Sequence, residues 1–132
     1  MTQTDVSPQV LPRLVAFDLD DTLAPSKSAM PPAMATALRR LLDVVPVCII
    51  SGGQVGQFRD QVLAHLDADA DELSRLHLMP TCGTRYYTYD PSQAGQSSDA
   101  WRLVYANDLT PEQIRTGFEI VEAQARRLGL WE

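Results

Sequence analysis

Lysine is almost missing from this sequence: Lys27 is the only one, and arginine carries the other positive charges. Acids outnumber bases 17 to 11, for a formal charge of −6. A surface of that sign repels nucleic-acid phosphates, so no nucleic-acid partner is expected. Long apolar runs are also missing. Nothing approaches the roughly 20 residues that cross a bilayer, so no membrane partner is expected either. Metal-ligand spacings are absent among the soft ligands. Cys48 and Cys82 show no CxxC pattern, and His65 and His77 have no cysteine or histidine neighbours at suitable spacing. Both cysteines lie in apolar segments and are expected as buried free thiols in a reducing cytoplasm. The acids Asp67, Asp69, Asp71 and Glu72 lack the glycine and spacing of a calcium loop and suit a solvated face. What is present is ordinary globular balance: 132 residues, 45% hydrophobic and 21% charged, enough for one domain.

Hydrophobic patterning orders the chain. Residues 1–12 read as a loose leader. Arg13 to Phe17 is a short apolar run without alternation, as in a strand buried on both faces. Pro31 and Pro32 can open a helix, and Met34, Leu38, Leu41 and Leu42 follow at helical spacing. Pro46 to Ile50 is a second buried-strand run, ended by Ser51-Gly52-Gly53. Val55, Phe58, Val62 and Leu66 mark another helix, and Leu76 to Met79 a third strand. This βαβαβ order predicts a parallel α/β sheet with right-handed crossovers. The pattern then changes. Arg85 to Tyr89 and Trp101 to Tyr105 read as an antiparallel hairpin around a polar loop at 90–98. Thr110-Pro111-Glu112-Gln113 is a capped helix start, and Gly129 can close that helix.

Chemistry gathers at two turns. In parallel α/β sheets, ligands sit beyond the carboxyl ends of the strands. Asp18 and Asp20 end the first strand; Ser51 and Gly52 follow the second. Two carboxylates one residue apart repel, which is costly unless a cation or phosphoryl group uses them. Mg²⁺ suits such oxygen ligands. One carboxylate can attack phosphorus, and the other can shuttle the proton. The Ser51 hydroxyl and the open backbone at Gly52 suit a phosphate.

The segment Val15-Ala16-Phe17-Asp18-Leu19-Asp20-Asp21-Thr22-Leu23 closely resembles the first motif of the haloacid dehalogenase (HAD) superfamily of phosphohydrolases. Val47 to Gly53 resembles its second motif. The resemblance implies that Asp18 is the nucleophile and Asp20 the general acid and base. It also implies that the Asp18 carboxylate and the Asp20 main-chain carbonyl bind Mg²⁺, and that Ser51 holds the phosphoryl group. An aspartate at position 20 looks like phosphatases and phosphomutases rather than dehalogenases. One helix separates the two motifs, so any cap must follow the third strand, as in the sugar-phosphatase and phosphomannomutase-like branch.

The expected fold is therefore an incomplete doubly wound parallel sheet, the N-terminal half of a HAD-like core, leading into the start of an α+β cap. The expected division is a leader at 1–12, core at 13–84 and cap at 85–132. The third motif's base and the fourth motif's acids find no match; Lys27 precedes the second motif, and Asn107-Asp108 lies between a hairpin strand and a capped helix. The chain is thus expected to be a fragment with little activity alone, and its bare first-strand edge to invite self-association. The expected substrate is a small phosphorylated metabolite such as a sugar phosphate. Competing readings are a sugar phosphomutase, a non-catalytic binding module that kept the fold, and a receiver domain. A receiver domain needs an aspartate at the end of its third strand and a late lysine; this sequence has Met79-Pro80-Thr81 there and no lysine after Lys27. Lys27 suits a solvated loop better than a flap contact with substrate. The aromatics Tyr86, Tyr87, Tyr89, Trp101 and Tyr105 suit cross-strand pairing better than a sugar pocket.

Overall fold

The computed structural model describes residues 10–94 and 100–131. Five strands form one sheet in the order β1-β2-β3-β4-β5. The strands are β1 (Val15–Phe17), β2 (Val47–Ile50), β3 (Leu76–Met79), β4 (Arg85–Tyr89) and β5 (Trp101–Ala106). β1, β2 and β3 run parallel, with Phe17 beside Ile49 and Ile49 beside Leu78. β4 and β5 are antiparallel to their neighbours.

The crossovers are helical. α1 (Pro32–Leu42) joins β1 to β2 and begins, as its prolines require, without a side-chain cap. Between β2 and β3 the chain forms α2 (Val55–Phe58), a π-helical turn (Arg59–Leu63) and α3 (Ala64–Leu66) without a break. α4 (Ala70–Leu73) follows. Its Asp69 and Glu72 form a reciprocal capping box, so part of the acidic stretch is a helix start.

Both crossovers step along the sheet in one direction, and their helices share one core. Leu38 and Leu42 of α1, with Phe58, Val62 and Leu66, bury Val47, Ile49, Leu76 and Leu78 of the sheet. Alternation sends Ala16, Cys48, Ile50, His77 and Met79 to the opposite face. There Ala16 and Ile50 are exposed, while His77 and Met79 are half-buried. The sheet is thus the expected incomplete α/β sheet, with its crossover helices packed on one side.

The hairpin is part of that same sheet. β4 pairs with β3 through His77 and Thr88 and through Leu78 and Tyr87, and Tyr87 enters the core. The expected division at 84 and 85 therefore passes through continuous sheet. α5 (Pro111–Arg127) stands apart and has no buried residue. It starts with the expected capping box of Thr110 and Gln113. It ends as predicted at Gly129, which is left-handed at φ 71°. Its closing bonds run from Gly129 N–H to Arg126 and from Leu130 N–H to Ala125, the pattern of a glycine-terminated helix. Residues 1–9, most of the leader, and 95–99 of the hairpin loop lie outside the described residues.

Candidate functional site

The first turn folds back on itself just beyond β1. Leu19, fully buried, accepts through its carbonyl from the N–H groups of Thr22, Leu23 and Ala24. Asp21 is left-handed at φ 58°, and its N–H donates to Ala24 at 2.7 Å. This tight loop leaves Asp18 exposed and Asp20 half-buried. Within the described residues Asp18 has no hydrogen-bond or ion-pair partner.

Asp20 is the opposite case. Its Oδ1 accepts the Lys27 N–H at 3.0 Å. The Gln57 amide reaches Oδ1 at 3.2 Å and Oδ2 at 3.1 Å. Gln61 Nε2 reaches Oδ1 at 3.2 Å. The Lys27 N–H is the chief cause that holds the Asp20 carboxyl below the usual carboxylate range; partial desolvation opposes it, and the two glutamines add to it. Lys27 thus contributes its backbone. It is left-handed at φ 51° and its side chain is exposed.

Asp18 follows β1 and Ser51 follows β2, and because Phe17 pairs with Ile49 on parallel strands, both lie at the carboxyl ends of neighbouring strands. Ser51 N–H donates to Met79, and its carbonyl accepts from Cys82 N–H at 2.9 Å. Its hydroxyl lies 3.4 Å from the Gly53 N–H. Gly52 is exposed, and a Cβ there would lie 3.5 Å from Cys82 Sγ, an ordinary contact. Helix α2 begins only at Val55, so Ser51 and Gly52 form a loop ahead of the helix rather than its cap.

That loop is pinned from below. Thr81, Cys82 and Gly83 are all left-handed, at φ 50°, 58° and 81°. A β-branched threonine there is a true outlier, and such strain persists only where surroundings enforce it. Here Thr81 N–H donates to Gly53 at 2.8 Å and Cys82 N–H to Ser51. Cys48 is buried and free as expected, and its burial raises its thiol pKa. Cys82 is free but exposed, which corrects the expectation of two buried thiols. The left-handed turn after Pro80 places Cys82 outside the core despite its apolar neighbours.

Asp18 and Ser51 thus end adjacent strands, and Asp20 is tied to the helix after Ser51. Gln57 and Gln61 were not visible as site residues from sequence, where their spacing of four is the one signal; the structure shows the Gln61 side chain buried. Asp108 is committed elsewhere, to a two-pronged pair with Arg85 at 3.0 and 2.6 Å. The aromatics pair across strands: Tyr86 with Tyr105 at 5.7 Å, and Tyr89 with Trp101 at 5.4 Å. No group of three or more His, Cys, Asp or Glu side chains gathers among the described residues. None of their helices is long and apolar enough to cross a membrane.

Known proteins share this fold. An IMP-nucleotidase of Plasmodium falciparum superimposes with a TM-score of 0.63 at 14% identity, covering 86% of this chain and 33% of that one. A HAD superfamily phosphatase of Bacteroides thetaiotaomicron gives 0.55 at 14% identity, over 93% and 40%. The fold is that of the HAD superfamily phosphatases. In sequence, a phosphomannomutase of Schizosaccharomyces pombe is 28% identical over 88 residues, 67% of this chain and 34% of that protein. No protein-family model matches the sequence. The chain spans about a third of the length of the relatives it matches.

Proposed function

We propose that the polypeptide carrying this chain is a Mg²⁺-dependent HAD-type phosphatase acting on a small phosphorylated metabolite, such as a sugar phosphate. The observation that carries this reading is the meeting of two turns. Asp18 and Ser51 leave neighbouring parallel strands, and Asp20 is bonded to the helix that follows Ser51.

In this reading an Asp18 carboxylate oxygen attacks phosphorus, forming an aspartyl phosphate and breaking the ester P–O bond. Asp20, in its protonated form, gives its proton to the departing oxygen as the ester P–O bond breaks. The carboxylate so formed, which its Lys27, Gln57 and Gln61 donors favour, then takes a proton from the water that releases phosphate and restores Asp18. Ser51 and Gly52 hold the phosphoryl oxygens. The donor set fits Mg²⁺: the Asp18 carboxylate is free and exposed, and the Asp20 carboxylate is occupied, leaving its main-chain carbonyl as the second oxygen ligand. Bound there, Mg²⁺ supplies charge neutralisation for the phosphoryl group. The segment 85–132 is the approach to a cap, with α5 as the part that leaves the sheet. Two free cysteines suit the cytoplasm.

The likeness to a phosphomannomutase favours a second reading, transfer of the phosphoryl group to a sugar hydroxyl rather than to water. The test is hydrolysis of a generic phosphate ester by the full-length polypeptide, with and without Mg²⁺. Asp18→Asn is expected to abolish it. Undiminished activity in Asp18→Asn contradicts the proposal. Phosphate appearing on an added sugar in place of free phosphate selects the mutase.

A further inference from the structure

We propose that Gln57 and Gln61 are positioning residues for the Asp20 carboxylate, and that Gly53 is glycine because a side chain there would fill the slot of the Gln57 amide. The inference rests on the role proposed above for Asp20.

Gln61 is 5% exposed and sits among Phe58, Val62 and Leu66. Burying an amide in such a place costs free energy unless its polar atoms are bonded, and Gln61 Oε1 has no partner. Leucine or methionine would serve packing better. The Gln61 amide nitrogen instead donates to Asp20 and, at 2.7 Å, to the Ser28 carbonyl. Two acceptors fix the amide orientation, since a reversed amide would set oxygen against oxygen. The Gln61 carbonyl also accepts Met30 N–H at 2.8 Å. Gln61 therefore holds both the carboxylate and the loop that follows it. The π-helical turn at Arg59–Leu63, a feature frequent at functional sites, carries it.

Gln57 makes the complementary contact, spanning both Asp20 oxygens. Its place depends on Gly53. A Cβ at Gly53 would lie 1.8 Å from Gln57 Oε1 and 2.6 Å from its Cδ. Gly53 is not in the left-handed region, so its backbone conformation does not require glycine. The atoms in the way are the end of a flexible side chain. Gly53→Ala should therefore displace Gln57 and leave the backbone in place.

The test compares an alkyl phosphate with p-nitrophenyl phosphate in the full-length polypeptide. The nitrophenolate departs without a proton, so kcat/KM for it does not need Asp20 as an acid. Asp20→Asn sets the reference, lowering kcat/KM for the alkyl ester about 10²- to 10⁴-fold and sparing the aryl ester. Gln57→Ala and Gly53→Ala are each expected to give the same split, about 10- to 100-fold. The double variant should be no worse than either alone. Equal losses on both esters, or no loss, overturn the proposal. A readout without turnover accompanies it. The side-chain NH₂ resonances of Gln57 and Gln61 should move in Asp20→Asn, and those of Gln57 in Gly53→Ala; unmoved resonances also overturn it. Failure of the underlying reading looks different: Asp18→Asn remains active, or Asp20→Asn itself shows no split, and the proposal falls with it.

Discussion

At the scale of single residues, what a side chain touches explains more than its type. Phe58 is fully buried at the centre of the core. Phe58→Ala is expected to cost about 3–5 kcal/mol, measured by urea unfolding. His77 lies on the less covered sheet face, hydrogen-bonded through Nδ1 to the Tyr86 hydroxyl at 2.6 Å. Desolvation holds its pKa below the ordinary 6.5. The unfolded chain therefore binds a proton at a higher pH than the folded one, and stability falls as pH drops through 6.5. Unfolding midpoints at pH 7.5, 6.5 and 5.5 should show that fall, and His77→Gln should flatten it. The acids at 18 and 20 were legible in sequence because an apolar strand ran straight into them. Gln57 and Gln61 were not. A glutamine on a helix ordinarily reads as its wet side, and the carboxylate they hold lies 37 and 41 residues away in sequence.

At the scale of elements, local chemistry was legible and lateral pairing was not. The parallel strands, α1 and both ends of α5 follow from apolar runs, prolines, a capping box and a glycine. The π-helical turn has no pattern of its own, because apolar spacing at Val55, Phe58, Val62 and Leu66 suits an ordinary helix equally well. The hairpin was legible as a hairpin, but its pairing with β3 depends on contacts between Leu78 and Tyr87 that no local pattern encodes. α5 offers a clean test of local stability. Thr110→Ala removes one half of its capping box and should weaken the helix by about 1 kcal/mol. Because α5 buries no residue, global unfolding should hardly change. Amide exchange should instead quicken in its first turn, and a large drop in the global midpoint would show that α5 carries the core.

At the scale of the whole molecule, the described sheet has one covered face and an unpaired edge at β1. Leu14 is 51% exposed beside that edge, and Ala16 is exposed on it. Unpaired strand edges template pairing with another chain, so this chain alone is expected to self-associate as concentration rises. Sedimentation velocity measures this. Ala16→Lys should weaken the association, and a monomer at every concentration would contradict it. The larger claim is that these two turns perform phosphoryl transfer. Its most direct test is acid-quenched mass spectrometry of the full-length polypeptide during turnover of a phosphate ester. The account predicts the added mass of one phosphoryl group, released by hydroxylamine and mapped to Asp18. Continued turnover with Asp18 unmodified, or with the phosphoryl group on another residue, would contradict it.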